Sequence, residues 1–377
     1  MKQSLNNTTL PTTTGSAFRY APIDALRGIA ALLVVWQHTS ESLIKIPGIA
    51  LHNTFLADIS AQYDFGRIGI ICFFLISGFV IPSSLKTQTT NKKTSISHFA
   101  KRRFYRLYPA YWLSLLLMVL ILPAASQPSS WTIIANATML QSFFSQAHVI
   151  GLYWTLQVEL IFYGICALLF YFQLLHNNRF IFFVIVGFFS VFVAIESYPL
   201  LSQSNLTIAK EFQLMPYLIS IMFLGSLYRK IYDGNTGDKN VLLYTSIATF
   251  LCLGLPVFLW LSSLLGYSMI EHSFRFGVAN SLAFVLFFSG LYFLKKPAKI
   301  LIWLGTISYS IYLFHPIIMQ LVKKLIWIAP SSFPILPLSV YMLITTLISI
   351  VFAHFIYSYF EKPAIVYSKK QTQSSES

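Results

Sequence analysis

Four ionisable residues interrupt an otherwise aliphatic stretch, IDALRGIAALLVVWQHTSESL at 23–43: Asp24, Arg27, His38 and Glu41. A charged group at the centre of a membrane helix costs roughly 2.5–3.5 kcal/mol on insertion scales, so it persists where it faces protein, water or a substrate. As a helix, the stretch turns through about 1100° between Arg27 and His38, three turns plus about 20°, so both lie on one face about 16 Å apart. Asp24 and Glu41 fall within about 60° and 40° of Arg27 on the same wheel, and Trp36 points the other way. An imidazole, with an ordinary pKa of about 6.5, suits proton transfer near neutrality. A guanidinium presents a planar fork to phosphate or carboxylate. The bland alternatives are a packing histidine bonded across helices and an arginine that reaches the headgroups with Asp24 as its partner.

Three further constellations carry chemistry. KRRFYRLYPAYW at 101–112 holds four cations within six residues. Lys101 and Arg102 are equally explained as topology determinants beside anionic lipid. Arg103 and Arg106 stand one turn apart on a helical face and can present two forks to phosphate oxygens. Tyr105 and Tyr108 offer flat surfaces to a nucleobase, or belong to an interfacial aromatic belt. YWTLQVELIFYG at 153–164 places Glu159 in an apolar turn, with Gln157 nearby and Tyr163 at i+4. A carboxylate there calls for a cation, with Arg27, His38 and Arg275 as candidates, or serves a structural ion pair. WLGTISYSIYLFHPI at 303–317 offers the hydroxyls of Ser308, Tyr309, Ser310 and Tyr312, with His315 just before Pro316, whose missing N–H weakens the helix ladder. Gly-x-Ser-x-Gly elbows, Gly-x-x-x-x-Gly-Lys phosphate loops, His-Glu-x-x-His zinc helices and calcium loops are all missing, which argues against a serine hydrolase, an ATPase and a metal site.

The elements that must position these residues follow from composition. Of 377 residues, 56% are hydrophobic and only 10% charged, against about 25% charged in a soluble domain. Apolar stretches of about 20 residues recur, each long enough to cross a hydrocarbon core of about 30 Å. They predict ten spans, at 22–44, 66–86, 102–122, 152–174, 180–198, 212–230, 241–263, 273–294, 300–322 and 338–360. Because they are continuously apolar rather than alternating, the fold class is all-α, a polytopic integral membrane protein.

The net charge of +14 is unevenly spread. Lysine and arginine cluster after the second, sixth, eighth and tenth spans, Lys86 and Lys92 among them, while Pro123 to Gly151 contains none. This positive-inside pattern puts both termini in the cytoplasm, with Lys323 and Lys324 as mild dissenters, and it argues against nucleic acid as the partner. Residues 1–20 read as a disordered polar tail, 21–362 as one membrane domain and 363–377 as a cytoplasmic C-terminal tail. Cys72, Cys166 and Cys252 sit singly in apolar spans as packing residues.

Taken in order, IDALRGIAALLVVWQH at 23–38, FFLISGFVI at 73–81, KRRFYRLYPAYW at 101–112, WTLQVELIFY at 154–163 and LGTISYSIYLFHP at 304–316 resemble the membrane-bound acyltransferase-3 family, which includes bacterial O-antigen and exopolysaccharide O-acetyltransferases. The likeness covers about residues 20–360. It implies a plasma-membrane enzyme in which His38 is essential to transfer, Arg27 pairs with it, and Arg103 and Arg106 handle the donor. Glu159 takes the acidic position of the fourth-helix motif. The implied donor is acyl-coenzyme A, most simply acetyl-coenzyme A, bound as substrate rather than as a resident cofactor. The implied acceptor is a carbohydrate or lipid-linked glycan, reached with or without a separate extracytoplasmic partner protein.

On this reading the donor phosphates dock at the basic cytoplasmic end, near Arg103, Arg106 and Arg27, with Tyr105 beside them. His38 takes the acceptor's proton or carries the acyl group covalently, with Glu159 as its helper. Asp24, Glu41, Tyr163, Ser308, Tyr309 and His315 line the site. The rival reading is a transporter or flippase of a glycan or metabolite whose path is lined by the same charges.

Overall fold

The computed structural model describes residues 20–46, 49, 54–85, 92–202, 209–234, 238–267, 273–328 and 336–373. The polar tail read at 1–20, apart from Tyr20, and Lys86 in the basic loop lie outside them. The regular structure among the described residues is all helix, with no strand among them. Ten long helices match the ten expected segments: α1 (Ala21–Leu43), α3 (Phe65–Val80), α4 (Lys92–Ile121), α6 (Tyr153–Tyr171), α7 (Asn178–Ser202), α8 (Lys210–Tyr232), α9 (Val241–Leu264), α10 (Ser273–Phe293), α11 (Lys299–Ile328) and α12 (Leu338–Ile356). Short helices α2 (Thr54–Gln62) and α5 (Ser130–Ala137) lie in connections, and α13 (Lys362–Gln373) follows a π-helical turn at Tyr357–Glu361.

Among the described residues, eight helices are long and apolar enough to cross a membrane, so the chain is a polytopic membrane protein. The other two of the ten, α1 and α8, have 23 residues each and are more polar. Asp24, Arg27 and Glu41 interrupt α1, and charges cluster at both ends of α8. Both helices are tucked into the bundle, α1 against α3 and α11 and α8 against α3 and α7, so their polar atoms meet protein. By contrast α7 and α9 show lipid-type faces, with Phe183, Phe250 and Leu264 exposed. Helix α4 begins ten residues before the expected 102 and α11 runs past 322 to Ile328. The stretch expected to end at 360 continues through α13 to Gln373, which lies along α4.

Close approach of α1 to α11 sets the geometry that matters most. Gly28 and Gly305 lie in the contact, where a Cβ on Gly305 would overlap the Asp24 carbonyl. Glycine is required because apolar side chains gain little from leaving lipid for protein, so helices associate through tight backbone packing. A second such contact joins α3 to α8, where Gly78 abuts the Met222 carbonyl. Gly305→Leu therefore spreads α1 from α11 and lowers the detergent-solubilised melting temperature, whereas Gly164→Leu, where a Cβ meets nothing, leaves it within a few degrees.

Candidate active site

The α1–α11 contact brings two histidines face to face. His38 Nδ1 and His315 Nε2 are 2.9 Å apart, with the rings stacked at 5.2 Å and tilted by 11°. His315 is fully buried and its Nδ1 lies 3.1 Å from the carbonyl of Ile311, in a turn where Pro316 supplies no N–H to the ladder. A carbonyl only accepts, so His315 donates from Nδ1 and presents a lone pair at Nε2. The proton between the rings therefore belongs to His38 Nδ1. That leaves His38 Nε2 as an unprotonated base, on a residue that is only half-buried and lines a cavity. The tautomer is assigned from the hydrogen-bond chain.

Two cavities lie along α1, with Ile70 in the wall of each and His38 in the wall of one. The first is a narrow space of about 100 Å³ whose walls include Arg27, Ser77, Arg106, Glu159, Ser308, Tyr309 and Tyr312. At its upper end Tyr312 bonds Thr155 at 2.6 Å and its ring meets that of His315. The second, of about 290 Å³, is lined by His38, Glu41, Asp64, Arg67, Trp154 and Arg275 among others. The first lies toward the Arg27 end of α1 and the second toward its Glu41 end. One end carries Tyr20, bonded to Asp233 at the close of α8, and the other carries Glu41, bonded to Arg275 at the start of α10.

Several expected site residues occupy different places from those foreseen. Glu159 does not reach His38. Its carboxylate accepts from Ser77 at 3.2 Å and Tyr163 at 2.5 Å in the first cavity, and the ring partner of His38 is His315. Arg275, a candidate partner for Glu159, instead binds Glu41 at 2.6 Å and Asp64 at 3.6 Å. Arg106 and Arg103 are not equivalent. Arg106 is held at 2.5 Å by Glu361, a wholly buried carboxylate that also accepts from Ser310 at 2.7 Å. Arg103 makes no ion pair among the described residues. It donates to Ser84 at 3.1 Å and lies over the rings of Phe99 and Tyr163.

Asp24 is buried and stands 3.8 Å from Arg27, behind the first cavity rather than in its wall. Ser308 and Tyr309 face that cavity, and Tyr309 donates to the Leu107 carbonyl at 2.8 Å. Tyr105 and Tyr163 line a separate groove of about 640 Å³ between α4, α6 and α13, where Tyr105 meets Tyr367.

Glu361, Asp64, Arg67 and Asn280 were not foreseen. Glu361 had one signal, a lone acid closing the apolar run of the tenth span, and Asp64 with Arg67 had another, charges opening the second. Asn280 had none. Above the second cavity the 123–151 connection is pinned to α8 through Ser142, His148 and Glu211, with Ser142 Oγ to Glu211 at 3.1 Å. Burial holds His148 below the ordinary imidazole range, and Glu211 partly offsets this.

Comparison with known proteins adds an independent line. A family model described as an acyltransferase domain matches residues 20–354. Peptidoglycan O-acetyltransferase OatA of Listeria monocytogenes is 25% identical over 343 residues, 81% of this chain and 50% of that protein. Acyltransferase MdmB of Streptomyces mycarofaciens is 27% identical over 159 residues, 38% of each chain. Protein 2 in the picA locus of Rhizobium radiobacter is 31% identical over 100 residues, 26% of this chain and 44% of that protein. The chain spans half the length of these relatives or less. With the family model matched over nearly the whole bundle, this chain belongs to the acyltransferase-3 family.

Proposed function

We propose that the chain is a membrane O-acyltransferase that moves an acyl group, acetyl in the first instance, from acyl-coenzyme A to a hydroxyl of a cell-surface or lipid-linked carbohydrate. The observation that carries this reading is a histidine base held in one tautomer in the wall of a cavity at the Glu41 end of α1, with a second cavity at the Arg27 end that shares Ile70 with it. An O-acetyltransferase and an acyltransferase among the relatives support it. In this proposal all ten long helices span the plasma membrane, both termini are cytoplasmic and the Arg103 end faces the cytoplasm, as the lysine and arginine distribution favours.

The donor enters from that end. Arg103, which lines the groove beside Tyr105 and has no carboxylate partner among the described residues, and Arg27 in the narrow cavity offer charge to its phosphates, and that cavity suits the slender pantetheine arm. Arg106, neutralised by Glu361, orders the wall instead. Glu159 is assigned to the same wall, fixing the cations rather than moving protons. The acceptor hydroxyl lies beside His38. As its oxygen attacks the thioester carbonyl, His38 Nε2 takes the hydroxyl proton. The tetrahedral intermediate collapses with breakage of the C–S bond, and the departing thiolate receives that proton. His315 is a positioning residue: by accepting from Nδ1–H it keeps Nε2 basic and stabilises the imidazolium that forms.

Four outcomes test this. His38→Ala remains folded and membrane-inserted but abolishes thiol release from acetyl-coenzyme A in the presence of acceptor; full turnover in that variant sinks the proposal. His315→Phe lowers kcat by about 100-fold with little change in KM for acetyl-coenzyme A, and His315→Gln, whose amide oxygen can accept the Nδ1 proton, recovers part of the loss. Arg103→Ala raises the KM for acetyl-coenzyme A about tenfold, the equivalent of about 1.4 kcal/mol. Glu361→Gln instead destabilises the protein by on the order of 3 kcal/mol, read as a lower melting temperature, because Arg106 loses its partner.

A further inference from the structure

The second cavity has more chemical character than a passage would need. Its charged groups form an alternating chain: Glu41 to Arg275 at 2.6 Å, Arg275 to Asp64 at 3.6 Å and Asp64 to Arg67 at 3.3 Å. Two carboxylates and two guanidiniums compensate one another, so the wall presents no net charge from these groups. Gln37 locks the arrangement by donating to Glu41 at 2.7 Å and accepting from the Phe65 amide at 3.1 Å.

Asn280, also in this wall, is fully buried. Its Nδ2 donates to the Phe276 carbonyl at 2.8 Å, while its Oδ1 accepts from no described residue. A buried amide oxygen left without a donor is costly, and a ligand hydroxyl supplies the donor. Trp154, half-buried in the same wall, adds a flat apolar surface against which the C–H face of a sugar packs.

We infer that this cavity is the acceptor site for an uncharged, hydroxyl-rich glycan, with Asn280 Oδ1 accepting from one of its hydroxyls and the paired charges excluding anionic sugars. The inference rests on the acyltransferase reading for its catalytic meaning, but the binding it asserts does not. A uronate carboxylate brought into this wall meets Glu41 and Asp64, which already balance the charge of both arginines. A neutral sugar needs no change in the ion-pair chain. Its hydroxyls add donors to carboxylate lone pairs and accept from the outer guanidinium N–H groups.

The test is donor-free binding to the purified full chain in nanodiscs, with neutral N-acetylglucosamine oligomers, uronic acid oligomers and glucosamine oligomers of equal length. The neutral oligomer binds at least tenfold more tightly than the uronate. Asn280→Ala weakens neutral binding about tenfold and raises the acceptor KM by a similar factor while the KM for acetyl-coenzyme A stays put. Arg67→Gln leaves the wall with a surplus carboxylate and shifts relative affinity toward the cationic glucosamine oligomer by about tenfold, so the inference stays testable if Asn280→Ala fails to fold. Equal affinity for the neutral and uronate oligomers, or unchanged neutral binding in a folded Asn280→Ala, overturns it. Selective neutral binding without acyl transfer upholds the site and removes the acyltransferase reading. Transfer to neutral and uronate oligomers alike does the reverse.

Discussion

Everything at the centre of this protein depends on how closely α1 can lie on α11. Gly28 and Gly305 remove the side chains that would hold the helices apart, and the backbones approach within carbonyl contact. In a bilayer such packing is itself a main source of helix association, since lipid and protein interiors are similarly apolar. The consequence for chemistry is a hydrogen bond between His38 and His315 that a wider separation would not permit. One packing contact thus supplies both cohesion and the protonation pattern of the base.

The same economy governs the charges. Most intramembrane ionic groups have a partner or a polar cavity: Glu361 holds Arg106, Arg275 bridges Glu41 and Asp64, and Arg67 completes the chain. Removing one member would strand the other in a medium of low polarity. Arg103 stands apart, held among the described residues by a hydroxyl and two aromatic faces rather than by a carboxylate. The π-helical turn that ends α12 is what aims Glu361 inward. Such turns insert an extra residue and rotate the following side chains, which makes them common near functional sites.

The all-α membrane class was plain from composition and from apolar stretches of helical length, because hydrocarbon leaves the backbone few other ways to satisfy itself. The face shared by Arg27 and His38 was equally legible, since it depends on helical period alone. The motif order from 23 to 316 indicated the family that the domain match then established. The partner of His38 was beyond such reasoning: 277 positions separate it from His315. Likewise Arg103 and Arg106 look interchangeable along one helix, and only the return of the chain at Glu361 distinguishes them.

What the sequence by itself determined is therefore local and periodic: which stretches are helices for lipid, which residues break their apolarity, and which of those share a face. These follow from hydration cost and from 3.6 residues per turn, both properties of a single segment. The tertiary structure alone decided which polar groups meet. It set Glu159 beside Ser77 and Tyr163 rather than His38, gave His38 its lone pair at Nε2 through His315, and left Asn280 with an oxygen unanswered by any described residue in the wall of the second cavity. Those outcomes depend on contacts between helices far apart in the chain, where a rotation of a few tens of degrees exchanges one partner for another.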